Sequence, residues 1–165
     1  MRRALFLDRD GVLNVDHGYI SRPDQFDVVE GVFDALRHAQ ALGYLLVLVT
    51  NQSGIARGYF TDTDYRRLED HMRTLFAAEG ITFAGMYHCP HHPEGSVPAL
   101  AVACDCRKPR PGMILEAARE HNIDLGASVM VGDKESDIAA ARAAGIGRTY
   151  LVDPPRLTLR DISLG

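Results

Sequence analysis

Apolar residues along this chain fall into short blocks that stop abruptly at polar ones. Ala4-Leu5-Phe6-Leu7 runs straight into Asp8-Arg9-Asp10-Gly11. Leu45-Leu46-Val47-Leu48-Val49 runs into Thr50-Asn51-Gln52-Ser53-Gly54, and Ala127-Ser128-Val129-Met130-Val131 runs into Gly132-Asp133-Lys134. Blocks of this length, bounded by turn residues, read as buried strands of a parallel sheet. A further strand is expected within residues 81–87, and an edge strand over 149–152. Between these blocks the apolar spacing turns helical. Val32, Phe33, Leu36, Ala39 and Leu42 predict a helix over 32–42 with Gly43 as its C-cap. Leu68, Met72, Leu75 and Phe76 form the inner stripe of a longer helix over 61–79, where Thr61 and Asp64 are spaced as a capping box. Two more helices are expected over 112–121, with Pro111 as first helical residue, and over 139–144, ended by Gly145. Strands alternating with helices define an α/β protein, a mainly parallel central sheet with a helical layer on each face.

In such a sheet, ligands bind beyond the carboxyl ends of the strands. The polar strand termini therefore converge on one site. Asp8 and Asp10, two residues apart on an extended chain, project to the same side. Two carboxylates so placed can share a hard cation such as Mg2+, or divide nucleophilic attack from proton transfer. Thr50, Asn51, Gln52 and Ser53 bring hydroxyl, amide and backbone N–H groups to a strand end that opens a helix, a phosphate-holding arrangement. Asp133 completes the carboxylate set, and Asp137, one helical turn on, steadies it. The polar stretch 14–30, with Asp16-His17-Gly18-Tyr19, lies beside the Asp8/Asp10 corner as a loop that can line the site.

The cysteines add a second centre. All three, Cys89, Cys104 and Cys106, lie in one segment beside His91. A C-x-H pair and a C-x-C pair suit a closed, tetrahedral, structural Zn2+ site that staples the loop 89–106. His92 is the competing ligand. Arg107 and Lys108 follow directly, so the staple fixes where they point. Arginine suits two-pronged phosphate recognition, and lysine supplies a compact positive charge.

Bulk properties narrow the function. At 165 residues the chain is expected to form one domain over 1–165, with a tail at 153–165 that carries no motif. A net charge of -4 and a pI near 5.9 give no basic footprint for nucleic acid. No apolar run is long enough to span a membrane. The apolar stretch at residues 4–7 is too short for a signal peptide, and an odd number of cysteines argues against a disulfide framework. A cytoplasmic monomer is expected.

The ordered set Asp8-x-Asp10, Thr50-Asn51, Lys108 and Gly132-Asp133 with Asp137 resembles the haloacid dehalogenase-like (HAD) superfamily of phosphotransferases. Six longer motifs make the resemblance finer. They are residues 8–14, 16–19, 49–58, 89–93, 104–109 and 131–134. Together they resemble the heptose-bisphosphate phosphatases of that superfamily from about residue 5 to 151. The resemblance implies a Rossmann-like HAD fold without a large cap domain. It implies a small phosphosugar substrate, a heptose 1,7-bisphosphate, that loses its C7 phosphate on the way to nucleotide-activated heptose for surface glycan such as lipopolysaccharide. Asp8 would be the nucleophile, forming an aspartyl-phosphate. Asp10 would protonate the leaving sugar oxygen and then activate water. Mg2+ would be held by Asp8, the carbonyl of Asp10 and Asp133. Thr50 and Lys108 would stabilise the phosphoryl group. Asp16, His17, Gly18, Tyr19, Thr50, Asn51, Gln52, Ser53, Arg107, Lys108 and Lys134 would contact substrate. Zn2+ would bind Cys89, His91, Cys104 and Cys106. The nearest alternatives are histidinol-phosphate phosphatase, a phosphate-moving mutase and a non-catalytic zinc-stabilised binding module. Asp16–Tyr19 and Ile55-Ala56-Arg57-Gly58 favour the heptose reading. The residues leave the C1 anomer open.

Overall fold

The computed structural model describes residues 1–165. Its centre is a sheet of five parallel strands: β1 (Ala4–Leu7), β2 (Leu45–Asn51), β3 (Gly85–Cys89), β4 (Val129–Gly132) and β5 (Arg148–Leu151). Their order across the sheet is β3-β2-β1-β4-β5. Four helices connect them: α1 (Val32–Ala41), α2 (Asp62–Ala77), α3 (Gly112–His121) and α4 (Glu135–Ala144). No helix is long and apolar enough to cross a membrane.

The period-two alternation of strands explains the layering. Leu5 and Leu7 of β1, with Leu46 and Leu48 of β2, pack against Val32, Leu36 and Ala39 of α1 and Met72 and Phe76 of α2. Ala4 and Phe6, with Val47 and Val49, pack on the other face against Met113, Ile114 and Ala117 of α3 and Ala140 and Ala141 of α4. The inner strands are therefore apolar on both faces, which is why they appear in the sequence as unbroken apolar blocks. The three-layer α/β architecture expected from the pattern is the one observed.

Element boundaries differ from expectation in ways that bear on the site. β2 runs two residues past Val49, because Thr50 and Asn51 still pair with His88 and Cys89 of β3. β3 itself begins only at Gly85 and ends at Cys89, so one cysteine of the cluster sits on a strand terminus. Ile81 and Phe83, which draw the expectation towards 81, are buried in the approach to the strand instead. α4 begins at Glu135 rather than Ala139, since Asp137 serves its first turn as a cap. β4 begins at Val129, with Leu125–Ala127 forming a 3-10 turn before it. β5 covers Arg148–Leu151 and is an edge strand as expected. Pro111 is the N-cap of α3, not its first helical residue. α1 ends at Ala41 with Leu42 as cap, and Gly43 follows in the left-handed region. Residues 53–58 form consecutive turns, so no helix opens directly behind β2; α2 starts only at Asp62, on the expected Thr61/Asp64 capping box.

Between β1 and β4 the connections leave in opposite directions, the switch point at which open α/β sheets bind ligands. Asp8 follows β1 and Asp133 follows β4. Neither the 8–31 connection nor the 90–111 connection holds more than a single 3-10 turn, so no cap domain covers this edge.

Candidate active site

Lys108 is the centre of the site. Its ammonium lies 3.0 Å from Asp8 Oδ1, donates to the Val49 carbonyl at 2.8 Å and pairs with Asp137 Oδ1. All three protons thus have an acceptor, and the side chain is fully buried. Burial works against the charge, but Asp8 and Asp137 outweigh it and hold Lys108 above the ordinary lysine range. Asp137 spends its second oxygen on the backbone N–H groups of Asp133 and Lys134, both at 3.1 Å. It therefore fixes the turn that carries Asp133 as well as the ammonium.

The carboxylate cluster is under-neutralised. Carboxylate oxygens of Asp8, Asp133 and Asp137 lie within 4.8 Å of one another. Within this cluster only Lys108 is positive, which leaves two negative charges when all three acids are ionised. Burial pushes Asp8 up to about 7; Lys108 opposes the shift, while Asp137, Asp10 and Asp133 reinforce it. Burial and then Asp137 raise Asp133 in the same direction. Asp133 Oδ1 is buried without any hydrogen-bond partner. An unpartnered buried carboxylate oxygen beside an uncompensated double charge fits a hard divalent cation. Two glycines make the approach possible. A methyl group at Gly11, whose φ is +86°, would collide with the Asp133 carboxylate, and one at Gly132 would collide with that of Asp137.

These groups open onto a cleft of about 480 Å³. Its wall includes Asp8, Asp10, Asp16, Gly18, Tyr19, Asn51, Gln52, Ser53, Arg107, Lys108 and Lys134, which the sequence places together. Three other expected residues lie off its wall. His17 is half exposed and faces Asp27 at 3.4 Å. Thr50 is buried and does not line the cleft, and Asp133 borders a neighbouring hollow with Gly11 and Asn14. Asn51 and Gln52 line the cleft but turn their amides inward. Asn51 Oδ1 accepts from Lys108 N at 3.0 Å, and its Nδ2 donates to the Lys108 carbonyl at 3.1 Å. Gln52 Nε2 donates to Thr50 Oγ1 at 3.0 Å and to Asp10 Oδ2 at 3.2 Å.

Sequence reasoning passed over Arg9, Asn14 and Ser136. Ser136 lines the cleft. Arg9, between two aspartates, is 1% exposed and ion-paired with Asp10. Only the tertiary fold reveals this.

The cysteine cluster forms as its spacing suggests. Cys89 Sγ lies 3.5 Å from both His91 Nδ1 and Cys104 Sγ; His91 Nδ1 is 3.3 Å from Cys106 Sγ, and Cys104 and Cys106 are 3.4 Å apart. The cysteines are free rather than disulfide-bonded. Zinc bonds of about 2.3 Å to sulfur and about 2.0–2.1 Å to nitrogen set tetrahedral ligand atoms roughly 3.5–3.8 Å apart. Those four pairs stand close to this, whereas Cys89 Sγ and Cys106 Sγ approach to 2.6 Å and must part for an ion to enter; the donor types and their grouping fit Zn2+. His92 instead meets Arg57 Nη2 at 3.2 Å. Burial, then the neighbouring thiols, push Cys106 far up, the cost that metal binding would remove. The loop between the two ligand pairs reaches the 53–60 turns: Val97 N–H donates to Ala56 O at 2.9 Å and Ser96 Oγ to Arg57 O at 2.8 Å.

The HAD-hydrolase-like family matches residues 105–153, the stretch that carries Lys108, Asp133 and Asp137. Fold and site together define a HAD-like hydrolase. Among curated proteins, the D-glycero-beta-D-manno-heptose-1,7-bisphosphate 7-phosphatase of Yersinia pestis is 54% identical over 90% of this chain and 79% of its own length. That of Pasteurella multocida is 52% identical over 92% and 82%. The chain belongs to this D-glycero-beta-D-manno-heptose-1,7-bisphosphate 7-phosphatase family. A crystal structure of D,D-heptose 1,7-bisphosphate phosphatase from B. bronchiseptica, complexed with magnesium and phosphate, superposes with a TM-score of 0.80 at 33% identity, covering 96% of this chain and 83% of that one.

Proposed function

We propose that this protein hydrolyses the C7 phosphate of D-glycero-D-manno-heptose 1,7-bisphosphate, releasing heptose 1-phosphate for nucleotide-activated heptose synthesis. The relatives' names specify the β anomer, and we extend that to this chain. The observation that carries the reading is the buried Lys108 ammonium 3.0 Å from Asp8 Oδ1, beside an unpartnered Asp133 oxygen. A lone positive group held against a carboxylate at a strand end suits attack on a phosphate dianion, which the carboxylate would otherwise repel.

In this reading Asp8 attacks phosphorus, the bond from phosphorus to the C7 oxygen breaks, and Asp10 gives its proton to that oxygen. Asp10 then takes a proton from water as the water oxygen attacks the aspartyl-phosphate, which frees phosphate and restores Asp8. Lys108 and Thr50 balance charge on the transferring group, and Asp137 holds Lys108 in place. Asp8, Asp133 and the Asp10 carbonyl would hold Mg2+, which supplies Lewis-acid neutralisation of phosphoryl charge. Asp16, Gly18, Tyr19, Ser53, Arg107 and Lys134 would meet the sugar and its second phosphate across the open cleft. Zn2+ on Cys89, His91, Cys104 and Cys106 would be structural, fixing the chain that enters Arg107 and Lys108. We read the working form as a cytoplasmic monomer.

Phosphate release from the α and β anomers of the bisphosphate, with histidinol phosphate alongside and Mg2+ present, tests this directly. Preference for the β anomer is expected. Turnover of histidinol phosphate alone would overturn the substrate and keep the chemistry.

A further inference from the structure

Asp10 is held from four directions. Arg9 Nε donates to Oδ1 at 3.1 Å and Arg9 Nη2 to Oδ2 at 3.2 Å. Asn14 Nδ2 donates to Oδ1 at 3.0 Å, and Gln52 Nε2 to Oδ2 at 3.2 Å. A carboxylate has about four in-plane acceptor positions, and here each oxygen meets one guanidinium nitrogen and one amide, so Asp10 carries a proton to or from the leaving oxygen only when one of the two amides lets go while the guanidinium keeps the carboxylate plane. The guanidinium is itself anchored. It lies 5.8 Å from the centroid of the buried Tyr65 ring, which stacks on His88 at 4.0 Å. His88 in turn pairs with Asp62 at 2.9 Å, at the first residue of α2. Gln52 also reaches Thr50 Oγ1, so the same amide ties Asp10 to the hydroxyl at the end of β2.

We propose that Arg9, Gln52 and Asn14 are positioning residues: they form a clamp that sets the plane of the Asp10 carboxylate towards the leaving oxygen. The inference rests on the phosphatase reading above. A side chain on a strand-end loop has free rotation about two bonds unless something fixes it, and proton transfer falls off steeply with misplacement. A buried, planar, two-pronged cation is the group that fixes a carboxylate plane; a lysine, as a point charge, cannot do the same. Gln52 is thereby reassigned. Its side chain serves Asp10 rather than the sugar.

The test separates the clamp from general structural support by varying the leaving group. Proton donation matters for an alkoxide leaving group and matters little for p-nitrophenolate, which departs unaided. The parameter kcat/KM reports the step that forms the aspartyl-phosphate. For Arg9→Met we expect kcat/KM for the sugar bisphosphate to fall by about 100-fold, and for p-nitrophenyl phosphate by less than about 5-fold. Gln52→Met should show the same selectivity at smaller size, and it carries the test if Arg9→Met does not fold. Arg9→Lys keeps the charge without the two-pronged grip and should resemble Arg9→Met. Equal losses on the two esters, or no loss on either, overturn the clamp. The comparison holds for any alkyl phosphate that the wild type hydrolyses, so a wrong sugar overturns the substrate reading and leaves this test in force.

Discussion

Asn51 brackets the main chain of Lys108, accepting from its N–H at 3.0 Å and donating to its carbonyl at 3.1 Å. This pair joins the end of β2 to the segment that leaves the cysteine cluster, across 57 residues of sequence. The amide thus acts on the ammonium through the backbone. We predict that Asn51→Ala lowers kcat/KM by about 100-fold, the order associated with a misplacement near 1 Å, while substrate binding changes little. Steady-state kinetics with separate kcat and KM values check this; a pure rise in KM would show that Asn51 contacts the sugar instead.

Much of this site was legible in the sequence, and the reason is local. Asp8, Thr50 and Asp133 interrupt apolar strand blocks, so their place at the carboxyl edge of the sheet follows from the pattern alone. The cysteines were legible because they are few and clustered. Side-chain direction was not. Asn51 and Gln52 look like ligand-facing strand-end amides, and only the approach of residues from distant segments turns them inward. Arg9 was hidden for the same reason: its partner Tyr65 lies on α2. The start of α4 was misplaced because residues 135–137 are polar and the apolar periodicity begins only at Ile138, although Asp137 is buried against Lys108.

The pH dependence of stability follows from the carboxylate cluster. Asp8 in the folded, metal-free protein titrates at about 7, raised from 3.8. Between those values the folded state holds a proton that the unfolded state has released. Stability therefore falls as pH rises through this window, and the loss is complete above about 7. Asp133 shifts in the same direction and adds to it. We predict that the melting temperature of chelator-treated protein drops between pH 5 and 7.5, that Mg2+ restores it at pH 7.5, and that Asp8→Asn flattens the drop while abolishing turnover. Thermal melts across pH with and without Mg2+ decide the matter; a metal-free protein equally stable at both pH values would refute the account.

Gly11 carries a separate prediction. Its φ of +86° disfavours any side chain, and a methyl there would enter the space of the Asp133 carboxylate. Gly11→Ala should cost about 1–2 kcal/mol from backbone strain alone. It should also displace Asp133, so the Mg2+ concentration for half-maximal activity is expected to rise. Chemical denaturation and a Mg2+ titration of activity measure the two effects independently. Weakened stability with unchanged Mg2+ dependence would mean that Asp133 does not hold the ion.

The cysteine cluster and Lys108 are coupled through very little chain. Cys106 and Lys108 are separated only by Arg107, and Gly112 N–H closes the intervening turn onto Asp105 O at 2.9 Å. The loop between the two ligand pairs also supports residues 56 and 57. Removing one ligand should therefore act on both stability and rate. We predict that Cys104→Ser loses bound zinc and lowers the melting temperature on the order of 10 °C. The fold should survive, because one apolar core lies wholly outside the loop and the other, which includes Cys89 and packs against Cys104 and Cys106, is built mainly from the strands and helices. Activity should fall through kcat, since Lys108 loses its fixed approach while the rest of the cleft keeps its shape. Metal analysis, thermal melts and kinetics on the same preparation check the chain of cause. Full zinc content in the variant would remove Cys104 from the ligand set, and zinc loss without any change in kcat would sever the proposed link between the staple and the site.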